Sequence, residues 1–328
     1  MTEDQGFTPP EESNDPRQDV LLPDGQRYVP YHYDDAGEIV LHVRIALATG
    51  RPLLLEGPPG AGKSTLARDL ALCLGRRYYE KVITSRTQAR DLQWRWDAVA
   101  RLADAQGERR WIDRPDHFVE PEVLWWAFAP EAARRHEVEH ELGRSTDRHW
   151  RFTRGGKELP YGPGAVILLD EIDKADPDVP NDLLVALGER RFEVEETRKP
   201  IEFEPATPCL VLLTTNKERE LPQAFLRRCV PLKLALPTAA AMEAIVHRHV
   251  AGADAHTVQT LVARHDAMVR AIGDRARPPS TAELIDAVRA AARLQQRYSD
   301  AEWPRRLERI LESTLWKSPD PMPGAPAA

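Results

Sequence analysis

The fold of this chain is decided by the stretch Gly57-Pro58-Pro59-Gly60-Ala61-Gly62-Lys63-Ser64-Thr65. It matches the phosphate-loop pattern G-x-x-x-x-G-K-[ST]. The apolar run Pro52-Leu53-Leu54-Leu55 precedes it and predicts a buried strand, while leucines at spacing four after Ser64 predict an amphipathic helix. Glycines in such a loop allow successive backbone N–H groups to face a phosphate, and the helix N-terminus adds its positive dipole end. We therefore expect residues 57–65 to bind the phosphates of a nucleotide.

Two side chains of this loop have distinct expected roles. Lys63 is expected to neutralise the β- and γ-phosphates, and the Ser64 hydroxyl to ligate Mg²⁺.

Further strands are predicted at 81–84, 165–170 and 208–215, separated by helical stretches. Strands that alternate with helices predict an α/β fold with a doubly wound parallel sheet around the P-loop.

A second motif narrows the chemistry. The run Val166-Ile167-Leu168-Leu169-Asp170-Glu171 is an apolar strand that ends in two carboxylates. Asp170 stands where a ligand of Mg²⁺ is expected, and Glu171 is placed to act as general base for a water that attacks the γ-phosphate. A small-molecule kinase has no use for this glutamate, because its nucleophile is the substrate. The pair therefore favours nucleotide hydrolysis.

Polar residues after the fourth predicted strand extend this site. Asn216 follows the apolar run 210–213 and two threonines, and its amide is suited to orient the attacking water. Arg227 and Arg228 come shortly after. They are either a solvated helix end or an arginine finger, which stabilises transition-state charge on the nucleotide of a neighbouring subunit.

These motifs together resemble those of AAA+ ATPases and, more narrowly, of the MoxR-like branch. The residues that carry the resemblance are Gly57–Thr65 (Walker A), Leu168-Leu169-Asp170-Glu171 (Walker B), Thr214-Thr215-Asn216 (sensor 1), Phe225-Leu226-Arg227-Arg228 (the finger region) and Arg277-Pro278-Pro279-Ser280-Thr281 (the sensor 2 segment). The MoxR-like assignment also depends on a long insertion between the second strand and Walker B, which is similar to the helix-2 insert of that branch.

The resemblance implies an Mg²⁺-dependent ATPase that assembles into a homo-oligomeric ring, usually a hexamer, and remodels or activates a partner protein. That partner would be a separate chain, since MoxR-like proteins commonly work with proteins carrying a von Willebrand A-type domain. The resemblance favours Arg228 as the finger, with Arg227 as the alternative. It also assigns sensor 2 to Arg277, with Arg275 as the competitor.

Composition shifts along the chain predict its organisation. Prolines among polar residues predict a disordered N-terminal tail over 1–27, and prolines beside alanine and glycine predict a C-terminal tail over 317–328. Between them we expect an α/β nucleotide-binding domain over 28–236 and an all-helical lid domain over 237–316. The α/β domain would carry a structured insertion at about 91–164, which holds six of the eight tryptophans.

Overall composition excludes several classes of protein. The 328 residues have a formal net charge of −7 and no apolar run long enough for a membrane helix. The first residues, Met1-Thr2-Glu3-Asp4-Gln5, lack the features of a secretory signal, and three cysteines fit a reducing compartment, so we expect a cytoplasmic protein. The acidic balance argues against coating of nucleic acid by bulk charge and leaves only a local basic groove as an alternative.

Two other functions stay open at this point. The first is a nucleotide-gated scaffold or switch in which slow hydrolysis times assembly, as in a bacterial conflict system. The second is a zinc metalloprotease, because His136-Glu137-Val138-Glu139-His140 matches H-E-x-x-H. Its flanks are charged, and no convincing third ligand follows it in the sequence.

Overall fold

A computed structural model describes residues 7–10, 15, 17, 19–33, 37–107, 110–142, 144–205, 207–272, 278–299 and 301–315. Contacts between Cα atoms divide the chain into two compact units. The first comprises 1–56 and 63–233, and the second comprises 57–62 and 234–328. The phosphate loop is thus grouped with the C-terminal unit, although it joins two elements of the first.

The first unit contains every β-strand of the described chain. Its strands are β1 (Leu53–Glu56), β2 (Arg77–Val82), β3 (Trp94–Trp96), β4 (Val119–Pro121), β5 (Thr153–Arg154), β6 (Lys157–Glu158), β7 (Ala165–Asp170), β8 (Arg191–Val194), β9 (Lys199–Glu202), β10 (Cys209–Thr215) and β11 (Val230–Lys233). The helices of the chain are α1 (Glu38–Thr49), α2 (Lys63–Cys73), α3 (Ala98–Gln106), α4 (Val123–Phe128), α5 (Pro130–Glu139), α6 (Asp178–Glu189), α7 (Gln223–Leu226), α8 (Ala239–His249), α9 (Ala255–Ile272), α10 (Thr281–Leu294) and α11 (Trp303–Thr314).

Five of these strands form the central sheet, in the order β11-β1-β10-β7-β2. Every pairing in it is parallel, with Leu54 opposite Leu213 and Leu210 opposite Val166. The apolar runs of β1 and β7 are completely buried, which is expected where a parallel sheet is covered on both faces. This confirms the predicted α/β class with a parallel sheet built around the P-loop.

Two strands of the sheet differ from the prediction. The predicted strand at 81–84 is wrong in its bounds, because β2 begins at Arg77 and buries Tyr78 and Tyr79. Strand β11 is not predicted from the sequence, because Pro231 disfavours a strand. Proline is tolerated there because β11 is at the edge of the sheet and pairs only with β1.

The predicted insertion between β2 and β7 is a structured segment that contains α3, α4, α5 and four short strands. Trp94, Trp125 and Trp126 are buried in the same apolar core as the sheet. Trp94 stacks on Phe192 of β8 at a centroid distance of 5.9 Å, and Trp125 meets the same ring edge-on at 5.8 Å. These tryptophans therefore pack the insertion onto the α/β unit and onto the hairpin of β8 and β9.

The N-terminal segment corrects the prediction of a disordered tail over 1–27. Among its described residues, Val20 is fully buried and Leu21 forms β-bridges to Arg27 and Thr153. Arg17 is buried and donates from Nη1 to both carboxylate oxygens of Asp69 in α2, at 2.6 Å each. Local sequence could not reveal this, because a lone arginine among polar residues looks solvated until its distant partner is known.

The described part of the second unit folds as α8, α9, α10 and α11, with no strand among those residues. Its core is apolar and includes Met242, Leu261 and Leu284. Ser280 is the N-cap of α10 and forms a capping box, in which its hydroxyl accepts from the N–H of Glu283 and the Glu283 carboxylate accepts from the Ser280 N–H. The predicted C-terminal tail over 317–328 lies outside the described residues. None of the described helices is long and apolar enough to cross a membrane.

Candidate nucleotide site

The glycine-rich loop 57–62 follows β1 and leads directly into α2, as the sequence predicts. Gly60 has a φ of +83°, and a Cβ built there would lie 2.3 Å from the Cβ of Ser280. A Cβ at Gly57 would lie 2.4 Å from the carbonyl oxygen of Leu234. Both positions therefore exclude side chains, which leaves the loop backbone bare, as a phosphate cradle requires.

Lys63 is the first residue of α2 and is only 8% exposed. Its Nζ donates to Oδ1 of Asn216, at the end of β10, over 2.7 Å. Burial lowers the pKa of Lys63, while Asp170, Asp173 and Glu171 oppose that shift through their negative charges. The ammonium thus sits among carboxylates at the carboxyl ends of the strands, where open α/β sheets bind their ligands.

Asp170, the last residue of β7, lies beside Ser64, the second residue of α2. The Ser64 hydroxyl lies 3.4 Å from Oδ2 of Asp170, and the Thr214 hydroxyl donates to Oδ1. A hydroxyl and a carboxylate form the hard oxygen donor set that Mg²⁺ takes in nucleotide sites. These residues therefore fit that ion.

Thr214 belongs to the predicted sensor 1 segment, but sequence reasoning assigned its side chain no role of its own. It is fully buried in β10, and its hydroxyl also accepts from the backbone N–H of Glu171 at 2.8 Å. One side chain thus fixes the carboxylate of Asp170 and the backbone of the residue after it. The available signal was two consecutive threonines at the end of an otherwise apolar strand.

Glu171 lies at the turn after β7 with a φ of +61°, in the left-handed region. A non-glycine residue in that region carries about 1–2 kcal/mol of backbone strain, and such strain concentrates at functional sites. Its carboxylate is paired with Nζ of Lys174 at 2.9 Å, and Nδ2 of Asn216 lies 3.5 Å from Oε1. The structure therefore brings Lys63, Glu171 and Asn216 together.

The structure does not bring the two arginines into this group. Arg227 and Arg228 follow α7 and are exposed, and among the described residues neither bonds to Lys63, Asp170 or Glu171. Arg228 lines an open cavity of about 400 Å³ on the surface of the first unit. Arg275 and Arg277, the candidates for sensor 2, lie outside the described residues.

Comparison with known families agrees with this geometry. The model of the AAA domain, dynein-related subfamily, matches residues 52–229, which is more than half of the chain. This chain belongs to the dynein-related AAA domain family. The matched span of the AAA protein runs from the residue before β1 to Cys229, so it contains the phosphate loop, Asp170, Glu171, Asn216 and both arginines.

Membership of this family supports a function of the AAA ATPase type, in which the domain binds nucleotide. A search of curated proteins finds no match to the chain. Among solved structures, the AAA protein is similar to one titled "Structural Basis for Katanin Self-Assembly". The two share 15% identity over 92% of this chain and 90% of that one, with a TM-score of 0.46.

The H-E-x-x-H sequence of the AAA protein has its glutamate engaged in local hydrogen bonds. It spans the end of α5, where Oε1 of Glu137 accepts from the backbone N–H and, at 2.9 Å, from the hydroxyl of Thr146. Ser145 also approaches this carboxylate, at 3.2 Å. Glu137 therefore serves as an acceptor that holds the following loop, and the geometry gives no support to its use as a general base.

Proposed function

We propose that this AAA protein is an Mg²⁺-dependent ATPase of the MoxR-like branch, which hydrolyses ATP as a ring and remodels or activates a partner protein. The observation that carries the proposal is the pair of contacts Lys63–Asn216 and Ser64–Asp170. These contacts join the first turn of the P-loop helix to the ends of β10 and β7. An ordinary glycine-rich turn has no need for such a set of groups.

Each residue then has a defined task. The backbone of Gly57, Pro58, Pro59, Gly60, Ala61, Gly62 and Thr65 surrounds the phosphates, while Lys63 supplies positive charge. Ser64 and Asp170 hold Mg²⁺, which neutralises charge that develops on the phosphate oxygens. Glu171 accepts the proton of the attacking water, and Asn216 orients that water.

The ring supplies what one chain lacks. Arg228 is exposed and, among the described residues, forms no hydrogen bond or ion pair with Asp170 or Glu171 of its own chain, so it is suited to act on the nucleotide of a neighbouring subunit. Arg227 is the alternative finger. We propose a homo-oligomer, with six subunits as the expected number, in which Arg277 or Arg275 provides sensor 2.

Two features support the MoxR-like branch. The insertion between β2 and β7 is long and structured, and the hairpin of β8 and β9 comes directly before β10. We propose that the partner is a separate chain, with a von Willebrand A-type domain as the expected class. The acidic composition gives no positive indication of nucleic acid.

One observation favours a second candidate function, a nucleotide-gated switch with slow hydrolysis, as in a bacterial conflict system. The ion pair of Glu171 with Lys174, at 2.9 Å, occupies the carboxylate that would act as base. If this pair persists when nucleotide is bound, the protein turns over slowly and the nucleotide only times assembly.

Steady-state ATP hydrolysis by the wild type and by Glu171→Gln tests the proposal. Loss of the general base should lower kcat by about 10²–10⁴-fold, while affinity for ATP is retained. Glu243→Gln in α8 is a matched control and should behave as the wild type. A wild type that is no faster than Glu171→Gln would rule out the motor and leave the switch.

Mixed assemblies test the ring. Lys63→Ala should fail to bind ATP and Arg228→Ala should bind without hydrolysis, so each is inactive alone. In a mixture, Lys63→Ala subunits donate Arg228 to neighbours that still bind ATP, and activity should return. The same mixture with Arg227→Ala tells which arginine is used. No recovery in either mixture would contradict action in trans.

A further inference from the structure

Three metal-ligating side chains meet in the insertion, away from the nucleotide site. His136 lies in the last turn of α5 and His140 follows its end, so the two share one helix face. Asp116 lies in a single 3-10 turn, Pro115–Phe118, directly before β4. One ligand atom from each of the three residues lies within 4.8 Å of the others.

We propose that Asp116, His136 and His140 form a binding site for Zn²⁺ that ties the 115–118 turn to the end of α5. Two imidazoles and one carboxylate are a ligand set for zinc, which accepts three protein ligands and a water. Sequence spacing showed only the two histidines. The third ligand precedes them in the chain and reaches them through the fold.

The surroundings of His136 prepare it as a ligand. Its Nε2 lies 2.9 Å from the carbonyl oxygen of Val119, to which it donates, and the ring is almost completely buried. This bond fixes the tautomer, so that Nδ1 carries the lone pair. A metal-bound imidazole usually donates its other N–H to a carbonyl or carboxylate in this way.

His117, the neighbour of Asp116 in the sequence, ties the 115–118 turn to the end of α5. The ring of His117 lies close by, with its Nδ1 bonded to the backbone carbonyl oxygen of His140, which holds the end of α5 in place. The three ligand atoms lie within 4.8 Å of one another, and ligands about 2.0–2.1 Å from one zinc ion are separated by less than that limit.

Lys199 is the group that competes with the metal. Its Nζ forms an ion pair of 2.8 Å with Oδ1 of Asp116. The lysine side chain is 54% exposed, whereas that of Asp116 is 16% exposed. A long exposed lysine swings into solvent at small cost, whereas the aspartate stays beside the histidines. Zinc therefore has to displace the ammonium group of Lys199 from Asp116, and removal of Lys199 should strengthen zinc binding.

Glu137, between the two histidines, accepts from the backbone N–H and the hydroxyl of Thr146, so its carboxylate is engaged in holding the following loop. The role proposed for the metal is therefore to join two segments of the insertion. A metal at this point would fasten the turn before β4 to α5, and would stabilise the insertion against local opening. This role is independent of the proposed nucleotide hydrolysis.

Calorimetric titration of the full-length, chelator-treated protein with Zn²⁺, in the absence of nucleotide, tests the proposal. We expect one equivalent to bind. Asp116→Asn and His140→Gln should weaken binding by at least about 10- to 100-fold, while His247→Gln, an exposed histidine of α8, should leave it unchanged. Lys199→Ala should tighten zinc binding severalfold. This increase would not occur if the three side chains only packed against one another and bound no metal.

Substitution with Co²⁺ gives a spectroscopic readout. The wild type should show the visible absorption of Co²⁺ bound by imidazole, and should lose fluorescence from Trp125, whose ring lies 5.0 Å from that of His136. Circular dichroism of the metal-free variants separates lost ligation from lost folding, and Lys199→Ala keeps all three ligands. Absence of stoichiometric binding by wild type, or binding that survives both Asp116→Asn and His140→Gln, would overturn the site.

Discussion

Lys63 and Asn216 are joined by a hydrogen bond of 2.7 Å across 153 positions of the chain. The bond connects the first residue of α2 to the end of β10. The amide Nδ2 of Asn216 lies 3.5 Å from Glu171, so this one residue lies between the phosphate-binding cation and the proposed base. Asn216 accepts from one of them and faces the other as a donor.

This arrangement predicts that Asn216→Ala lowers kcat far more than it raises KM. Loss of one preorganised polar group at a reacting centre costs about 10²–10³-fold in rate. Asn216→Asp keeps an acceptor for Lys63 but lacks the donor, so it should not restore hydrolysis. Asn181→Ala in α6 is the matched control. Steady-state ATPase kinetics check this, and equal losses in Asn216→Ala and Asn181→Ala would contradict a role in orientation.

The glycine requirement of the loop predicts a sharp effect of one methyl group. Gly60→Ala places a Cβ at a φ of +83° and 2.3 Å from the Cβ of Ser280. The left-handed conformation alone costs about 1–2 kcal/mol, and the overlap forces the loop away from the start of α10. Nucleotide affinity should therefore fall strongly.

A second glycine provides the control for that substitution. A Cβ at Gly162 would have its nearest neighbour at 3.7 Å, an ordinary contact. Gly162→Ala should bind a fluorescent ATP analogue as the wild type does. If Gly60→Ala binds as tightly as Gly162→Ala, the loop does not depend on the bare backbone.

The N-terminal segment predicts an effect on stability. Asp69 is fully buried and accepts from Arg17, from the backbone N–H of Tyr31 at 2.9 Å and from the hydroxyls of Tyr28 and Tyr33. Asp69→Asn removes one of the two carboxylate partners of Arg17, which keeps its ion pair with Asp15, and disrupts this buried network. It should lower the free energy of unfolding by about 1–3 kcal/mol.

Urea unfolding of the α/β unit measures this loss. Asp182→Asn, at an exposed position of α6, should change the free energy of unfolding by no more than about 0.5 kcal/mol. A fall of less than about 1 kcal/mol in Asp69→Asn would mean that Arg17 leaves the interior at little cost.

Features that depend on contiguous residues can be predicted from this sequence, whereas contacts between residues far apart in the chain cannot. The loop 57–65 and the strand before Asp170 were predicted correctly as elements, because contiguous residues carry their patterns. Three features join residues that only the fold brings together: the contact of Arg17 with Asp69, the proximity of Asp116 to His136 and His140, and the bond of the buried Thr214 hydroxyl to Asp170. No local period encodes them.

Buried histidine in the helical unit predicts a pH dependence of stability. His265 in α9 is 3% exposed, and its Nε2 lies 3.0 Å from the carbonyl oxygen of Pro279. Burial lowers its pKa, against the opposing effects of the Pro279 carbonyl and of Asp266 and Glu283. The folded histidine therefore takes up a proton at lower pH than the unfolded one, whose pKa is about 6.5.

The direction of the effect follows from that difference. Above about pH 6.5 neither state is protonated and the contribution is fully present. As the pH falls below that value, the unfolded chain binds the proton first, so stability falls until the folded pKa is reached. The slope from this one group is at most about 1.4 kcal/mol per pH unit.

His265→Gln removes this titration while its amide can still donate to Pro279. Between pH 7 and pH 5, hydrogen exchange of the α9 and α10 amides should accelerate in the wild type relative to the intrinsic rate. In His265→Gln this acceleration should be smaller, because the contribution of one titrating group is absent. His256→Gln, an exposed position on the same helix, should retain the wild-type slope. Parallel slopes in wild type and His265→Gln would mean that another group of the helical unit carries the pH dependence.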